Sequence, residues 1–188
     1  MGRITLITGG ARSGKSRFAE TLAARGASVC YVATAEALDE EMAQRIAQHR
    51  ARRPPQWTTL DAPLDLVTAL TGIGHTGTVL VDCLSLWTSN RLLALGDDAA
   101  PGWWPAVTAL EATLSAELRA VLALARHSGW DLVLVTNEVG FGVVPASRLG
   151  RAFRDLLGRL GQVAAAEADA VYLVVAGLAL ELKALSTR

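Results

Sequence analysis

Residues Gly9-Gly10-Ala11-Arg12-Ser13-Gly14-Lys15-Ser16 match the pattern G-x-x-x-x-G-K-[ST], and no other stretch restricts the fold so strongly. The apolar run Ile4-Thr5-Leu6-Ile7-Thr8 precedes them. Phe18, Ala19, Leu22 and Ala23 follow at three- and four-residue spacing, so the pattern lies between a strand and a helix. A phosphate cradle requires that context. Its glycines let the backbone turn back with N–H groups pointing inward, and a helix N-terminus adds partial positive charge facing the phosphates. Lys15 is placed to reach β- and γ-phosphates, and the Ser16 hydroxyl to bind Mg²⁺. The competing reading, a glycine-rich surface turn, would not need the flanking strand and helix.

Downstream, the cradle helix is predicted over about 15–25, with Gly26 suited to the left-handed position that ends it. Residues 28–33 form a second strand. Thr34, Ala35 and Glu36 at its carboxyl end fall where an open parallel sheet places its ligand. A helix over 38–50 follows, with Asp39, Glu40 and Glu41 at its start and Arg45 and Arg50 at its end. Leu38, Met42, Ile46 and His49 share one of its faces, and Pro54-Pro55 stops it. On the residues alone, two readings of this stretch stay open. His49 is a structural histidine beside Ile46 with Arg50, Arg52 and Arg53 on a solvated turn, or the arginines hold a triphosphate and His49 lies where it can act on it.

Residues 57–70 predict a short strand or loop, then a helix from near Pro63. Residues 72–77 are a surface loop in which His75 reads as structural. Thr78-Val79-Leu80-Val81-Asp82 is a buried strand ending in a carboxylate, the Walker-B arrangement, which pairs Asp82 with Ser16 around Mg²⁺. The segment 84–104 is expected to be irregular. Its tryptophans either cap a core or subunit interface, or stack on a large substrate. A long amphipathic helix spans 107–127, with His127 structural in its last turn. A strand over 132–136 leads into Asn137-Glu138-Val139-Gly140-Phe141-Gly142, again at the expected crevice. A helix over 147–168, a strand over 170–176 and an antiparallel edge strand over 178–183 complete the order. Strands alternating with helices, several of them almost wholly apolar, predict an α/β fold with a mostly parallel sheet covered on both faces.

A chain of 188 residues supports one core, and a single domain over 1–188 is expected. Eighteen basic and eighteen acidic residues give a formal net charge of zero, which argues against nucleic acid or an anionic membrane as partner and favours small molecules. Cys30 and Cys83 lie in apolar runs and suggest neither a disulfide framework nor a zinc site, which fits a reducing cytoplasm. No apolar run approaches the roughly 18 residues needed to span a bilayer, and no signal-peptide pattern precedes the first strand.

Three blocks together resemble one family. They are Thr8 to Ser16; Arg45-Ile46-x-x-His49-Arg50 with Arg53-Pro54 and Trp57; and Val135-Thr136-Asn137-Glu138-Val139-Gly140 with Val144-Pro145 and Arg148-Leu149. The chain is similar, from about Ile4 to Lys183, to the adenosylcobinamide kinase/adenosylcobinamide-phosphate guanylyltransferase family of cobalamin biosynthesis. The resemblance implies a P-loop NTPase fold of RecA-like type and two reactions. ATP or GTP phosphorylates the aminopropanol arm of adenosylcobinamide, and GTP then donates GMP to that phosphate, giving adenosylcobinamide-GDP and pyrophosphate. It places the guanylylated histidine at His49. Nucleotide contacts fall on Gly9 to Ser16, on Thr34, Ala35 and Glu36, on Arg50, Ala51, Arg52 and Arg53, and on Asp61 and Asp82. Position 61 carries Asp where Glu is usual in the family. Mg²⁺ at Ser16 and Asp82, a corrinoid as small-molecule partner and a homo-oligomer, commonly a trimer, are implied as well. A RecA-like motor is the rival from another class, disfavoured by the neutral charge, and a single-activity small-molecule kinase is the nearer one.

Overall fold

Apolar and β-branched side chains suit a strand buried on both faces, and Ile4-Thr5-Leu6-Ile7-Thr8 forms β1 (Ile4–Thr8), with its first four residues buried. The structure, a computed structural model, describes residues 1–37, 39–74 and 77–186. After β1 come α1 (Lys15–Ala23), β2 (Val29–Ala33), α2 (Glu40–Arg52), β3 (Thr58–Asp61), α3 (Leu66–Thr71) and β4 (Thr78–Asp82). The chain continues through α4 (Leu84–Leu93), α5 (Trp103–Ser128), β5 (Asp131–Val135), α6 (Arg148–Glu167), β6 (Ala170–Val175), β7 (Leu178–Glu181) and α7 (Leu182–Leu185). The expected helix start at Leu38 and the loop residue His75 lie outside the described residues.

Among the described residues the strands make one seven-stranded sheet, in the order β3-β2-β4-β5-β1-β6-β7. All neighbours run parallel except β7, which is antiparallel to β6. Alternation along each strand divides the side chains between two cores. Leu6, Val32, Leu132 and Leu134 join the larger core, beneath α3 to α6. Ile7, Tyr31, Val133 and Val135 join the smaller one, beneath α1. The mostly parallel α/β sheet expected from the sequence is therefore present, with its antiparallel edge strand, although the chain leaves that strand at Glu181 and turns into α7.

The segment 84–104 differs from expectation. It contains the ten-residue helix α4, and α5 already begins at Trp103. Leu84, Trp87 and Leu92 are buried, but so are Ser85, Thr88 and Asn90, and these polar residues hide the helical contrast between faces. Each has a partner inside the fold. Thr88 Oγ1 donates to Leu84 O at 2.7 Å, and Asn90 Nδ2 donates to Thr34 O at 2.9 Å and Pro63 O at 3.1 Å. Trp87 is fully buried, with its indole N–H on Leu64 O at 2.9 Å, so it packs in the core rather than on a substrate. At the far end of α5, Gly129 takes φ 77° as the left-handed cap.

No helix of the described residues is long and apolar enough to cross a membrane. Both cysteines are buried free thiols, and burial pushes Cys83 up to about 11, leaving it a neutral thiol at pH 7.

The start of β1 is tied down by Asp169, which follows α6. Asp169 Oδ2 accepts from Ile4 N at 2.7 Å and from Arg126 Nη1 at 2.7 Å, while Oδ1 accepts from Arg126 Nη2 at 3.0 Å. Arg126 also donates to Gly2 O and Glu167 O, so one fork joins α5, β1 and the end of α6. The Arg126 hydrogen bonds hold the Asp169 carboxyl below its ordinary value of 3.8, against the opposing effect of burial. A lowered folded value means that the stabilisation is complete above the ordinary value and vanishes as pH falls through the lower one. Asp169→Ala is expected to cost about 1 kcal/mol at neutral pH, a figure discounted for solvent because Asp169 is 39% exposed. In urea titrations the gap between the two proteins should close in acid. A gap that persists there would show that packing, not the ion pair, sets the difference.

Candidate nucleotide site

The cradle hangs between β1 and α1 and is held from both sides. Gly177 N–H donates to Ser13 O at 2.8 Å from the β6–β7 turn, and Glu138 N–H donates to Gly9 O at 2.9 Å from the end of β5. Gly14 caps α1 in the left-handed region at φ 99°. A Cβ on Gly9 would stand 2.4 Å from Val174 O, so only glycine allows the loop to lie this close to β6. Arg12 is exposed, with φ 56°. Lys15 is buried, and its Nζ donates to Gly10 O at 3.1 Å across the loop. Ser16 Oγ points at Asp82 Oδ1, 3.5 Å away at the end of β4.

These groups open onto a cleft of about 580 Å³. Ala11, Lys15 and Ser16 form its floor, and the ends of β2 and β4 supply Ala35 and Asp82. The last turn of α2 brings in His49, with Met42 and Ile46 on the same side, and Asn137 enters from the end of β5. His49 is half-buried on this wall. Arg50, Arg53 and Asp61 close the far side. Arg50 Nη2 lies 3.0 Å from both Asp61 oxygens. Arg53 stacks on Tyr31, with its guanidinium carbon 3.4 Å from the ring centroid, and Nη1 reaches Thr59 Oγ1 at 3.3 Å.

Of the sequence candidates, Gly9, Gly10, Arg12, Ser13 and Gly14 of the loop, and Thr34, Glu36, Ala51 and Arg52 beyond it, are not among the described residues that line this cleft. Thr34 is fully buried behind it. Its hydroxyl accepts from Cys83 N at 2.7 Å and donates to Cys83 O at 2.8 Å, so the side chain braces the end of β4 from β2.

Two residues escaped sequence reasoning. Tyr31 lies in an otherwise apolar strand, yet its hydroxyl donates to Asp82 Oδ2 at 2.7 Å. Burial and the adjacent Asp82 charge push its phenol far above the ordinary value, so it stays a donor. A hydroxyl-bearing aromatic two residues before a strand's carboxyl end was the available signal. Glu20, one turn beyond Ser16 on α1, has Oε1 buried with no hydrogen-bond partner among the described residues. Burial raises its carboxyl, Asp82 adds to that, and Arg52 opposes it.

A cradle at the β1–α1 turn, an acidic strand end facing its serine and a parallel sheet around both define a nucleotide-binding α/β protein of the P-loop class. Residues 5–182 match the family described as cobinamide kinase / cobinamide phosphate guanyltransferase, and the chain belongs to it. The bifunctional adenosylcobalamin biosynthesis protein CobU of Salmonella typhimurium is 42% identical over 179 residues, covering 95% of this chain and 98% of that one. The bifunctional adenosylcobalamin biosynthesis protein CobP of Pseudomonas aeruginosa is 46% identical over 180 residues, covering 95% and 96%. Among solved structures, a prototypical ATPase from the type III secretion system of pathogenic bacteria shares the fold at TM-score 0.54 and 10% identity. That match covers 96% of this chain and 57% of the ATPase.

The Thr34 brace is directly testable. Thr34→Val keeps the shape but removes both bonds, leaving the Cys83 N–H unpaired in the interior while Cys83 O keeps the Trp87 N–H at 3.2 Å, which should cost about 1–3 kcal/mol in chemical denaturation. An unchanged midpoint would mean that the two bonds add nothing to the folded state.

Proposed function

We propose that this chain carries both family reactions on one cleft: phosphorylation of adenosylcobinamide by ATP or GTP, then transfer of GMP from GTP to adenosylcobinamide phosphate through a guanylyl-His49 intermediate. The observation that carries the proposal is the joint placement of Lys15, Ser16 and Asp82 with His49 around the same 580 Å³ space. Besides Asp82, a second strand-end carboxylate to weigh for orienting the substrate hydroxyl is Glu138. Its Oε1 accepts from Gly140 N at 2.6 Å and it does not line this cleft, so Asp82 is the better placed of the two.

In the kinase step the acceptor hydroxyl oxygen bonds to the γ-phosphorus, the bond from that phosphorus to the β,γ-bridging oxygen breaks to release the nucleoside diphosphate, and the hydroxyl proton passes to solvent. Positioning and charge do most of this work. Lys15 faces the bridging and terminal oxygens from the cradle. In the transfer step a neutral His49 nitrogen bonds to the α-phosphorus of GTP and pyrophosphate departs. A phosphate oxygen of adenosylcobinamide phosphate then takes the guanylyl group, the P–N bond breaks and the imidazole is restored. Lys15, Arg50 and Arg53 are the cations placed to stabilise the leaving pyrophosphate. Ser16 and Asp82 fit Mg²⁺, since a hydroxyl and one carboxylate leave most of an octahedral shell to water and phosphate. Bound there, the ion supplies further charge neutralisation on the phosphate oxygens. The remaining parts of the reading are a single domain over 1–188, a homo-oligomer with a trimer favoured, and action in the cytoplasm on a small corrinoid.

The test is incubation with Mg²⁺ and GTP labelled at the α-phosphorus, with γ-labelled GTP in parallel, followed by denaturing electrophoresis and peptide mapping. Acid-labile, base-stable α-label on the His49 peptide is expected. His49→Ala should abolish that label and guanylyl transfer, retain kinase activity and melt close to the parent. Lys15→Ala should impair both reactions. A folded, GTP-binding protein without α-label would leave a single-activity kinase with His49 structural.

A further inference from the structure

Asp82 divides its two oxygens. Oδ1 faces Ser16 Oγ at 3.5 Å, and Oδ2 accepts the Tyr31 hydroxyl at 2.7 Å. The Tyr31 ring, 2% exposed, is also the seat of Arg53, the residue that caps α2 four positions after His49. One side chain thus touches the carboxylate of the metal-binding pair with its polar tip and the end of the histidine helix with its face.

We infer that Tyr31 is a positioning residue for both reactions: it aims Asp82 at the Mg²⁺ position beside Ser16, and it seats Arg53 at the end of the helix that presents His49. This inference rests on the two-reaction reading above. A carboxylate free to rotate would offer its oxygens to Ser16 only part of the time. A short hydrogen bond from a ring locked in the small core removes that freedom. The ring face likewise fixes a guanidinium whose Nε is buried with no hydrogen-bond partner among the described residues, so the stacking geometry holds what hydrogen bonds leave unanchored. The alternative is a tyrosine whose hydroxyl merely satisfies itself on the nearest carboxylate. That role would affect stability alone.

Tyr31→Phe separates the two, because it keeps the ring beneath Arg53 and removes only the bond to Asp82. The first readout is calorimetric binding of a non-hydrolysable GTP analogue across a Mg²⁺ series. The Mg²⁺ concentration that half-restores tight binding should rise about tenfold, as for loss of an outer-shell partner of a metal ligand. Affinity without metal should stay as in the parent. Trp87→Phe, in the opposite core, is the control and should lower the melting temperature without moving the metal requirement. The second readout is α-label on His49 at saturating Mg²⁺. It should persist in Tyr31→Phe and fall in Tyr31→Leu, which removes the seat of Arg53. An unchanged metal requirement in Tyr31→Phe overturns the aiming role, and equal labelling of the two variants overturns the seating role. If the parent itself takes no α-label, the two-reaction reading fails, while the metal series still decides the role of Tyr31 toward Asp82.

Discussion

The nucleotide cradle is only as rigid as the strand that carries it. β1 lies inside the sheet, paired in parallel with β5 on one side and β6 on the other, with Ile4 and Ile7 fully buried in opposite cores. It is paired along both edges, so the loop leaves from a defined point in a defined direction. The turn after β6 and the end of β5 each then add a backbone hydrogen bond to the loop. Donors fixed before the ligand arrives lose little freedom on binding, which is how such a loop holds a triphosphate without reorganising.

The histidine helix is built on the opposite plan. None of the described side chains of α2 is buried, and its N-terminus is capped by Asp39, whose carboxylate accepts from Met42 N at 2.7 Å. Its other end is held by polar contacts: Arg50 on Asp61 and Arg53 on Tyr31. The end of the helix that carries His49 is therefore anchored through charged side chains, while Lys15 follows a strand in the middle of the sheet. Arg50 and Arg52 in the last turn offset the negative pole of the helix, and Arg50 adds a cation beside the cleft.

The ends of β2 and β4 link these two plans. Thr34 bridges both backbone groups of Cys83, Asn90 holds Thr34 O from α4, and Tyr31 holds Asp82. All three are polar side chains in stretches that read as apolar or irregular. Their partners lie 49 to 56 positions away, so nothing local identifies the partner of each. The same cause hid α4. Its buried face mixes Leu84, Trp87 and Leu92 with Ser85, Thr88 and Asn90, which erases the contrast that reveals a helix.

Local chemistry was enough to establish the cradle, the alternation of strands and helices, the parallel sheet and its last antiparallel strand, because glycine spacing, apolar runs and helical periodicity act over a few residues. The three motif blocks carried the family resemblance in the same way. Tertiary structure alone decided that Asp82 has one oxygen for Ser16 and one for Tyr31, that Thr34 braces the sheet, and that Arg53 rests on a ring from β2. Each of those outcomes depends on strand order and register, which bring together side chains whose sequence separation carries no signal of contact.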